Sequence, residues 1–578
     1  MKKHIEKVIE QALKKALGDM EKVNIDLASC IENTRDIKFG HFSSNIAMRL
    51  AKILNKSPID LANNIKNNIA LSDSISKISI AGPGFINFTL TDKAFHKELE
   101  NILKLKQEYG KNKIGRNRKV LLEYVSANPT GPLHVGHGRH AAYGACVANL
   151  LKSIGYEVHQ EYYVNDAGRQ MDILALSVWM RWIEKENKDF SFPDGAYRGD
   201  YINEIANDLD DISNLSKKIP DNLFKELPQD SDKHLDQLIE MMREFLGDER
   251  MEEIIKKALD SILKDIREDM SEFKVKPDKW FSEKSLIQNG SIDKALNLLE
   301  KNNMVYKKDG AIWFRSKKLG DEKDRVVVRE NGRKTYFASD IAYHLNKRDR
   351  GYQDLINILG ADHHGYIARI KAGLEAMGQP PESLTIKLVQ FVALFRHEKK
   401  VQMSTRSGEF VTLRQLRNEV GNDAARLFFV MRSNEQHLDF DLDLAKSKTN
   451  ENPIHYLQYA HARVVSVMRQ LALKNMVWDL KIAKRSLDLL KTNHEKELML
   501  TLSRFPDTLT MAANQHAPQN IVHYLKKLAQ EFHAYYNAEK FIVEDANLRN
   551  ARIMLVLATQ QVMRNGLSLL DVSAPEKM

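Results

Sequence analysis

One stretch limits what this chain can become more than any other: Lys119–Leu151, reading KVLLEYV, then SANPTGPLHVGHGRH, then AAYGACVANLL. The first segment is apolar enough for a buried strand of a parallel sheet. The last reads as a helix, with Gly155 just past it as a stop signal. Strand, tight turn and helix put His134, Gly136 and His137 at a helix start, where backbone amides and the helix dipole favour an anion. His134 and His137 are three residues apart, so one helical turn lets both face a single ligand. Gly136 between them permits close backbone approach. Two imidazoles so placed suit the phosphates of a nucleotide, whose negative charge must be stabilised during reaction. A bare HxGH fits a helix cap with two surface histidines equally well. The flanking ANPTGPL and the strand–helix context favour the ligand site.

HVGH resembles the HIGH signature of class I aminoacyl-tRNA synthetases, and SANPTGPLHVGHGR is similar to its form in arginyl-tRNA synthetases. In that motif Ala127, Asn128, Pro129, Thr130, Gly131, Pro132 and Leu133 lead into His134, Val135, Gly136 and His137. Further family-like segments recur from Phe39 to the C-terminus, so the resemblance covers nearly the whole chain. It implies an α/β fold: a Rossmann-type parallel-sheet catalytic domain, an N-terminal α+β domain and a C-terminal all-α anticodon-binding domain.

Length and composition are compatible with this. At 578 residues the chain is too long for one core, and several domains are expected. No apolar run approaches the ~20 residues of a membrane span, and MKKHIEKVIEQALKKAL lacks the apolar core of a signal peptide. With only Cys30 and Cys146 there is neither a disulfide framework nor a zinc cluster, so a cytoplasmic protein without a resident metal is expected. A net charge of +9 suits a polyanionic partner, but only in support of a reading made elsewhere.

Taken in order, residues 1–112 read as helices followed by the strand pair ISIAGPGFINFTL about a Gly-Pro-Gly turn. This resembles the family's N-terminal additional domain, which contacts the D-loop corner of tRNA, and it makes Asn87 and Phe88 candidate tRNA contacts. The catalytic domain is expected over 113–450. Its second strand, near Tyr156–Val164, ends in NDAGRQ, where Asn165 and Asp166 fit either helix capping or the family's amino-acid site. Residues 189–280, rich in Asp, Glu, Lys and Leu, read as a helical insertion. The second half of the sheet is expected to start at GAIWFR (Gly310–Arg315) and RVVVR (Arg325–Arg329), and its last strand to be IKLVQFVALF (Ile386–Phe395).

Tyr336 and Asp340 are four apart, on one face of a helix. If the ligand is arginine, a buried carboxylate is the group that pairs with its guanidinium. Matching residues in the family hold the arginine side chain. LINILGADHHGY opens a strand into a helix, and ligands sit at the carboxyl end of such strands, so Asp362 and His363 face ATP or the substrate. The metal reading of DHH is set aside, since no further His or carboxylate cluster lies at ligand spacing.

VQMSTRSGEFVTLRQL resembles the KMSKS loop, which places cations on the ATP triphosphate. Gln402 and Thr405 stand where that loop has its lysines, while Met403, Ser404 and Arg406 remain; Lys399 and Lys400 lie nearby. From about 451 to 578 the chain is helical in period. Tyr456, Tyr459 and Arg463 share one face, as base-stacking rings with a cation would; spacing alone favours packing, and the resemblance to the family's anticodon-binding domain favours tRNA.

The resemblance implies an arginyl-tRNA synthetase activity. Arginine's carboxylate attacks the ATP α-phosphate, giving arginyl-adenylate and pyrophosphate, and the terminal ribose hydroxyl of tRNA(Arg) then takes the arginyl group. His134, His137 and Arg406 are the expected catalytic residues, with Gly136, Asp362, His363, Met403 and Ser404 also on ATP. Ser126 and Asn128, with Tyr336 and Asp340, are expected on L-arginine. ATP comes with Mg²⁺, no tightly bound cofactor is implied, and the family is usually monomeric and dependent on tRNA for activation. Two alternatives stay open. One is a relative that binds RNA and has lost catalysis, motivated by the altered QMSTR loop. The other is a different class I enzyme such as a cysteinyl synthetase, against which the missing zinc-site cysteines argue.

Overall fold

The computed structural model describes residues 1–17, 25–34, 36–185, 192–212, 230–401 and 410–578. The segment Gln402–Glu409, and with it the expected site residues Met403, Ser404 and Arg406, lies outside the described residues.

A five-stranded parallel sheet organises the centre of the chain. Its strands are β1 (Lys119–Glu123), β2 (Glu157–Val164), β3 (Lys279–Ser282), β4 (Asp354–Gly360) and β5 (Leu384–Val389), in the spatial order β5-β4-β1-β2-β3. All four pairings are parallel. From β1 the chain builds outward through β2 and β3, then returns to lay β4 on the opposite side of β1. Strand order reverses there, and a crevice opens at the carboxyl ends of β1 and β4. Val120, Leu121 and Leu122 on β1 and Leu355, Ile356 and Ile358 on β4 are all buried. Near-continuous apolar runs are what a strand covered on both faces requires, each such side chain contributing ~1.5–3 kcal/mol on burial.

Helix α1 (Val135–Ser153) follows β1, as α2 (Arg169–Glu184) follows β2, and α1 is buried around almost its whole circumference, including Ala141, Ala142, Cys146, Val147, Ala148 and Leu150. Its small residues let it press onto the sheet. At Gly144 a Cβ would come within 2.2 Å of the Tyr124 ring, so nothing larger fits without a shift. The other side of α1 docks on the C-terminal helices. The Tyr143 hydroxyl donates to the His516 carbonyl at 2.8 Å, and the Asn149 amide donates to the Asp571 carboxylate at 2.9 Å. Buried Arg426 donates to the same carboxylate at 2.7 Å and to the Phe273 carbonyl at 2.6 Å.

The N-terminal part packs helices Lys2–Leu17, Ile46–Leu54 and Pro58–Asn67 with a four-stranded antiparallel sheet. Ile75–Ala81 and Phe85–Leu90 form the expected hairpin in it. From Pro453 onward the chain is helical. Helices Asp200–Asn207, Ser231–Leu246 and Asp248–Glu272 fill the described part of the region read as an insertion. No helix among the described residues is long and apolar enough to cross a membrane.

Three expectations are corrected. GAIWFR and RVVVR do not enter the parallel sheet: Ala311–Phe314 and Arg325–Val328 join Val305–Lys308 in a separate three-stranded antiparallel sheet. A hairpin across Asp309–Gly310, both at positive φ, lets these strands satisfy their hydrogen bonds locally. The parallel strand that precedes them is β3, KWFS. IKLVQFVALF is also two strands: β5 ends at Val389, and Val392–Arg396 pairs with Leu438–Asp441 in another sheet. Finally, Asn87 and Phe88 lie within the strand Phe85–Leu90, 4% and 0% exposed, so neither side chain is placed to touch tRNA.

Candidate active site

The crevice between β1 and β4 deepens into a cavity of about 480 Å³, within the range of small-molecule sites. Its lining brings together Ser126, Asn128, His134, Gly136, His137, Tyr336, Asp340, Asp362 and His363, residues spread over much of the sequence.

One end belongs to the start of α1. His134 caps the helix, its Nδ1 accepting the amides of Gly136 and His137 at 3.1 and 3.4 Å. His137 returns the interaction, its Nδ1 accepting the His134 amide at 3.3 Å. Because Nδ1 is an acceptor in both rings, the proton of each neutral imidazole sits on Nε2. Burial lowers both pKa values, that of His137 far below the usual imidazole range with the neighbouring His134 and His140 adding to it. The pair therefore offers two neutral N–H donors. This corrects the expectation that first-turn amides would be free for an anion: the Val135 amide donates to the Val411 carbonyl at 3.3 Å, and the next two serve the His134 ring. Gly136 is needed for that fold-back, since a Cβ there would meet the His134 ring at 2.9 Å. The chain leaving Gln402–Glu409 is tied to the same turn. The Leu413 amide donates to the Leu133 carbonyl at 2.7 Å, and Phe410 meets His134 edge-on.

Further along α1, His140 lines the cavity with its pKa pushed down to about 4 by burial. Buried Arg139 donates to the carbonyls of Gln390, Gln436 and Ser433. It thereby fixes the Gln390–Phe391 rim, where Phe391 is 62% exposed. Asp362 and His363 sit on the opposite, exposed rim in the turn Ala361–His363.

The other end is acidic. Helix α3 (Tyr336–Asp349) starts at the cavity mouth and carries Asp340 one turn in. Burial pushes the Asp340 carboxyl up to about 7; a hydrogen bond from the Tyr366 hydroxyl opposes this, and the carboxylates of Glu283 and Glu123 add to it. Glu283, 4% exposed and directly after β3, is raised to about 6, again mainly by burial. Two acidic groups held above their usual range in one cavity form a site that a cation would complete. Tyr336 is half exposed at the mouth, its hydroxyl against Gly168, where a Cβ would come within 2.9 Å.

Between the two ends, the Ser126 hydroxyl donates to Glu123 Oε1 and accepts the Tyr163 amide, both at 3.1 Å. Val125 and Ser126 hold φ of +68° and +40°, strained backbone of the kind kept at functional sites. Asn128 Oδ1 accepts from Asn165 Nδ2 at 3.2 Å, and Asp166 accepts from the Ser282 hydroxyl and the Lys284 amide. Neither Asn165 nor Asp166 caps the helix Arg169–Glu184, whose N-cap is Gly168. Sequence reasoning missed Glu283. A carboxylate at the carboxyl end of a parallel strand was the available signal, but β3 is four residues long and follows a charged helical run.

Away from the cavity, Tyr456, Tyr459 and Arg463 do share a face of the helix Pro453–Leu473. The Arg463 guanidinium lies 4.4 Å from the Tyr459 ring centre and 4.6 Å from that of Tyr536, and it donates to His533 Nδ1 at 3.0 Å. Tyr456 packs on His533 at 4.7 Å. Each of the three is half-buried, so the cluster is both packed and open to one side.

Comparison with known proteins follows the same division of the chain. The family model described as "tRNA synthetases class I (R), catalytic domain" matches residues 98–443, that described as "Arginyl tRNA synthetase N terminal domain" matches 3–90, and "DALR anticodon binding domain" matches 457–578. An arginine–tRNA ligase of Coxiella burnetii is 51% identical, covering 100% of this chain and 99% of that one. One of Legionella pneumophila is 46% identical over 99% of each. The solved arginyl-tRNA synthetase of Thermus thermophilus superposes with a TM-score of 0.74 over 100% of both chains at 23% identity, a likeness of fold.

Proposed function

The chain belongs to the arginyl-tRNA synthetases of class I, and from that premise we propose how its cavity performs the family's reaction. It is an aminoacyl-tRNA ligase, joining L-arginine to tRNA with ATP and releasing AMP and pyrophosphate. One observation carries the assignment of roles. A single cavity holds two raised carboxyls, Asp340 and Glu283, at one end and two stacked imidazole donors, His134 and His137, at the other.

The arginine guanidinium sits against Asp340 and Glu283, with the Tyr336 ring closing the mouth. The hydroxyl of Ser126 has its proton and one lone pair committed, so its remaining lone pair accepts from the substrate's α-ammonium, beside Asn128. This aims the carboxylate toward α1. ATP arrives as its Mg²⁺ complex, with the Nε2–H groups of His134 and His137 on phosphate oxygens near Gly136. Asp362 and His363 border the nucleotide, and Met403, Ser404 and Arg406 are assigned to it from their match to the family's motif alone. A carboxylate oxygen bonds to the α-phosphorus while the bond to the bridging oxygen breaks, and pyrophosphate leaves with the electron pair. The tRNA terminal hydroxyl then attacks the arginyl carbonyl carbon, and AMP leaves. No covalent enzyme intermediate is needed, so catalysis rests on positioning and preorganised donors. Tyr456, Tyr459 and Arg463 present the half-open face that meets tRNA(Arg), and the enzyme acts as a cytoplasmic monomer. The reading as a relative that has lost catalysis gains no support from the cavity or from the relatives.

Pyrophosphate exchange into ATP, measured with each of the twenty amino acids with and without tRNA(Arg), tests this. Exchange is expected with arginine alone and only with tRNA present. Equal exchange with another amino acid would overturn the assignment.

A further inference from the structure

Lys347 is fully buried, 0% exposed, on the inner face of α3. Its ammonium donates to Glu123 Oε2 at 2.5 Å and to Asn357 Oδ1 at 2.9 Å, and lies 4.2 Å from the Tyr343 ring centre. Both partners line the arginine end of the cavity. The other oxygen of Glu123 accepts from Ser126, the residue at φ +40°. Asn357 spends its oxygen on Lys347 and meets His344 Nε2 through its amide nitrogen at 2.8 Å. His344 Nε2 is therefore an acceptor, Nδ1 carries the proton, and Nδ1 donates to the Asp340 carbonyl at 2.8 Å. One unbroken chain of hydrogen bonds thus runs from Ser126 through Glu123, Lys347, Asn357 and His344 to the backbone of Asp340.

A buried ion pair is weak evidence for stability, because well-packed apolar residues of like volume serve as well or better. What apolar residues cannot do is orient a carboxylate toward a hydroxyl. We propose that Lys347 is a positioning residue for arginine: it fixes Glu123, and through it the strained Val125–Ser126 turn, and it links that turn to the segment of α3 bearing Asp340. The inference rests on the cavity being the arginine site. It adds that the two ends of that site are held in register by one residue that never touches the substrate.

The test is Lys347→Met, assayed by pyrophosphate exchange with tRNA present, with the wild type as the control on arginine itself. Active sites are counted by the adenylate burst, so loss of folded enzyme is separated from loss of fit. Per active site, the arginine KM should rise about 10-fold, with the ATP KM within about 2-fold of wild type. The acid limb of kcat/KM for arginine should also move to higher pH. Asp340 is faced by Glu283, Glu123, Tyr163 and Tyr366, and Lys347 is the cation that favours its ionised form. Should Lys347→Met not fold, Asn357→Leu cuts the same chain on the other side and should raise the arginine KM with the ATP KM unmoved. Wild-type arginine KM and pH profile in the folded variant would overturn the proposal. So would a parallel rise of both constants.

Discussion

The imidazoles of His134 and His137 lie ring on ring, 3.6 Å between centres and 17° between planes, while each accepts the other's neighbouring amide at Nδ1. The capping pair is thus the same pair that we propose binds phosphate. The cap settles the tautomer, and the tautomer leaves a donor on each ring for the ligand. The cap is present, and its geometry is compatible with the ligand-site reading of HVGH.

Replacing either histidine by alanine should slow adenylate formation about 10²–10³-fold, the scale of losing one preorganised donor. His134→Ala should additionally cost about 1 kcal/mol of stability, since it removes the cap. Single-turnover adenylate formation with tRNA bound and a thermal melt separate the two effects. A variant with unchanged turnover removes that histidine from the mechanism.

Asp340→Asn, and to a lesser degree Glu283→Gln, should raise the arginine KM steeply and leave that of ATP nearly unmoved. Arginine binding should also be proton-linked. The Asp340 carboxyl sits near 7 in the free enzyme, and a bound guanidinium favours its ionised form, so binding expels a proton. Affinity should rise with pH through about 6–7 and level above, as calorimetry in buffers of different ionisation enthalpy would show. Without arginine the sign reverses for stability. A carboxyl raised above its unfolded value stabilises the fold below that value, and the contribution fades as pH climbs toward 7. If both Michaelis constants rise together in Asp340→Asn, the selectivity carboxylate lies elsewhere.

In the altered loop, Arg406→Ala should slow activation far more than Lys399→Ala or Lys400→Ala. Arg406 stands beside Thr405, which has replaced a lysine, and its planar fork suits phosphate. Lys399 and Lys400 form an exposed two-residue strand. Thr405→Lys should be tolerated. Ranking the variants by single-turnover activation decides it, and a costlier Lys399 or Lys400 would relocate the cation.

Gly144→Ala should destabilise by about 1–3 kcal/mol, because the new methyl meets the Tyr124 ring with no room to relax. The helix that carries His134 must then lift from β1, so turnover should fall along with the melting temperature. An unchanged melt would show that Tyr124 swings away freely.

What could be read beforehand follows a physical pattern. β1, α1 and β2 were legible because buried parallel strands are apolar throughout and a helix start has its own chemistry. β3 was not: a four-residue strand carries no periodicity, and losing it hid Glu283. The Ala311–Phe314 strand was placed in the wrong sheet because an apolar run announces a strand without naming its partner. Asn87 and Phe88 were misjudged for a related reason, since polarity or aromaticity at a strand does not say which way a side chain points. Asp340 and Tyr336 were placed on one face by helix spacing alone, whereas the Lys347 chain depends on contacts between β1, α3 and β4 that no local pattern encodes.

The order of strands also sets a timetable. β1 receives β2 soon after α1, but its other neighbour, β4, begins only at Asp354, and α1 is clamped from outside by Asp571, far beyond both in the sequence. A chain emerging from the ribosome N-terminus first therefore holds its HVGH residues with one edge of β1 open until β4 is made, and without this outer clamp until Asp571 follows. A nascent fragment cut short before Asp571 would contain every residue assigned to the chemistry and still lack the clamp that seats them. The clamp is thus made long after the residues it seats.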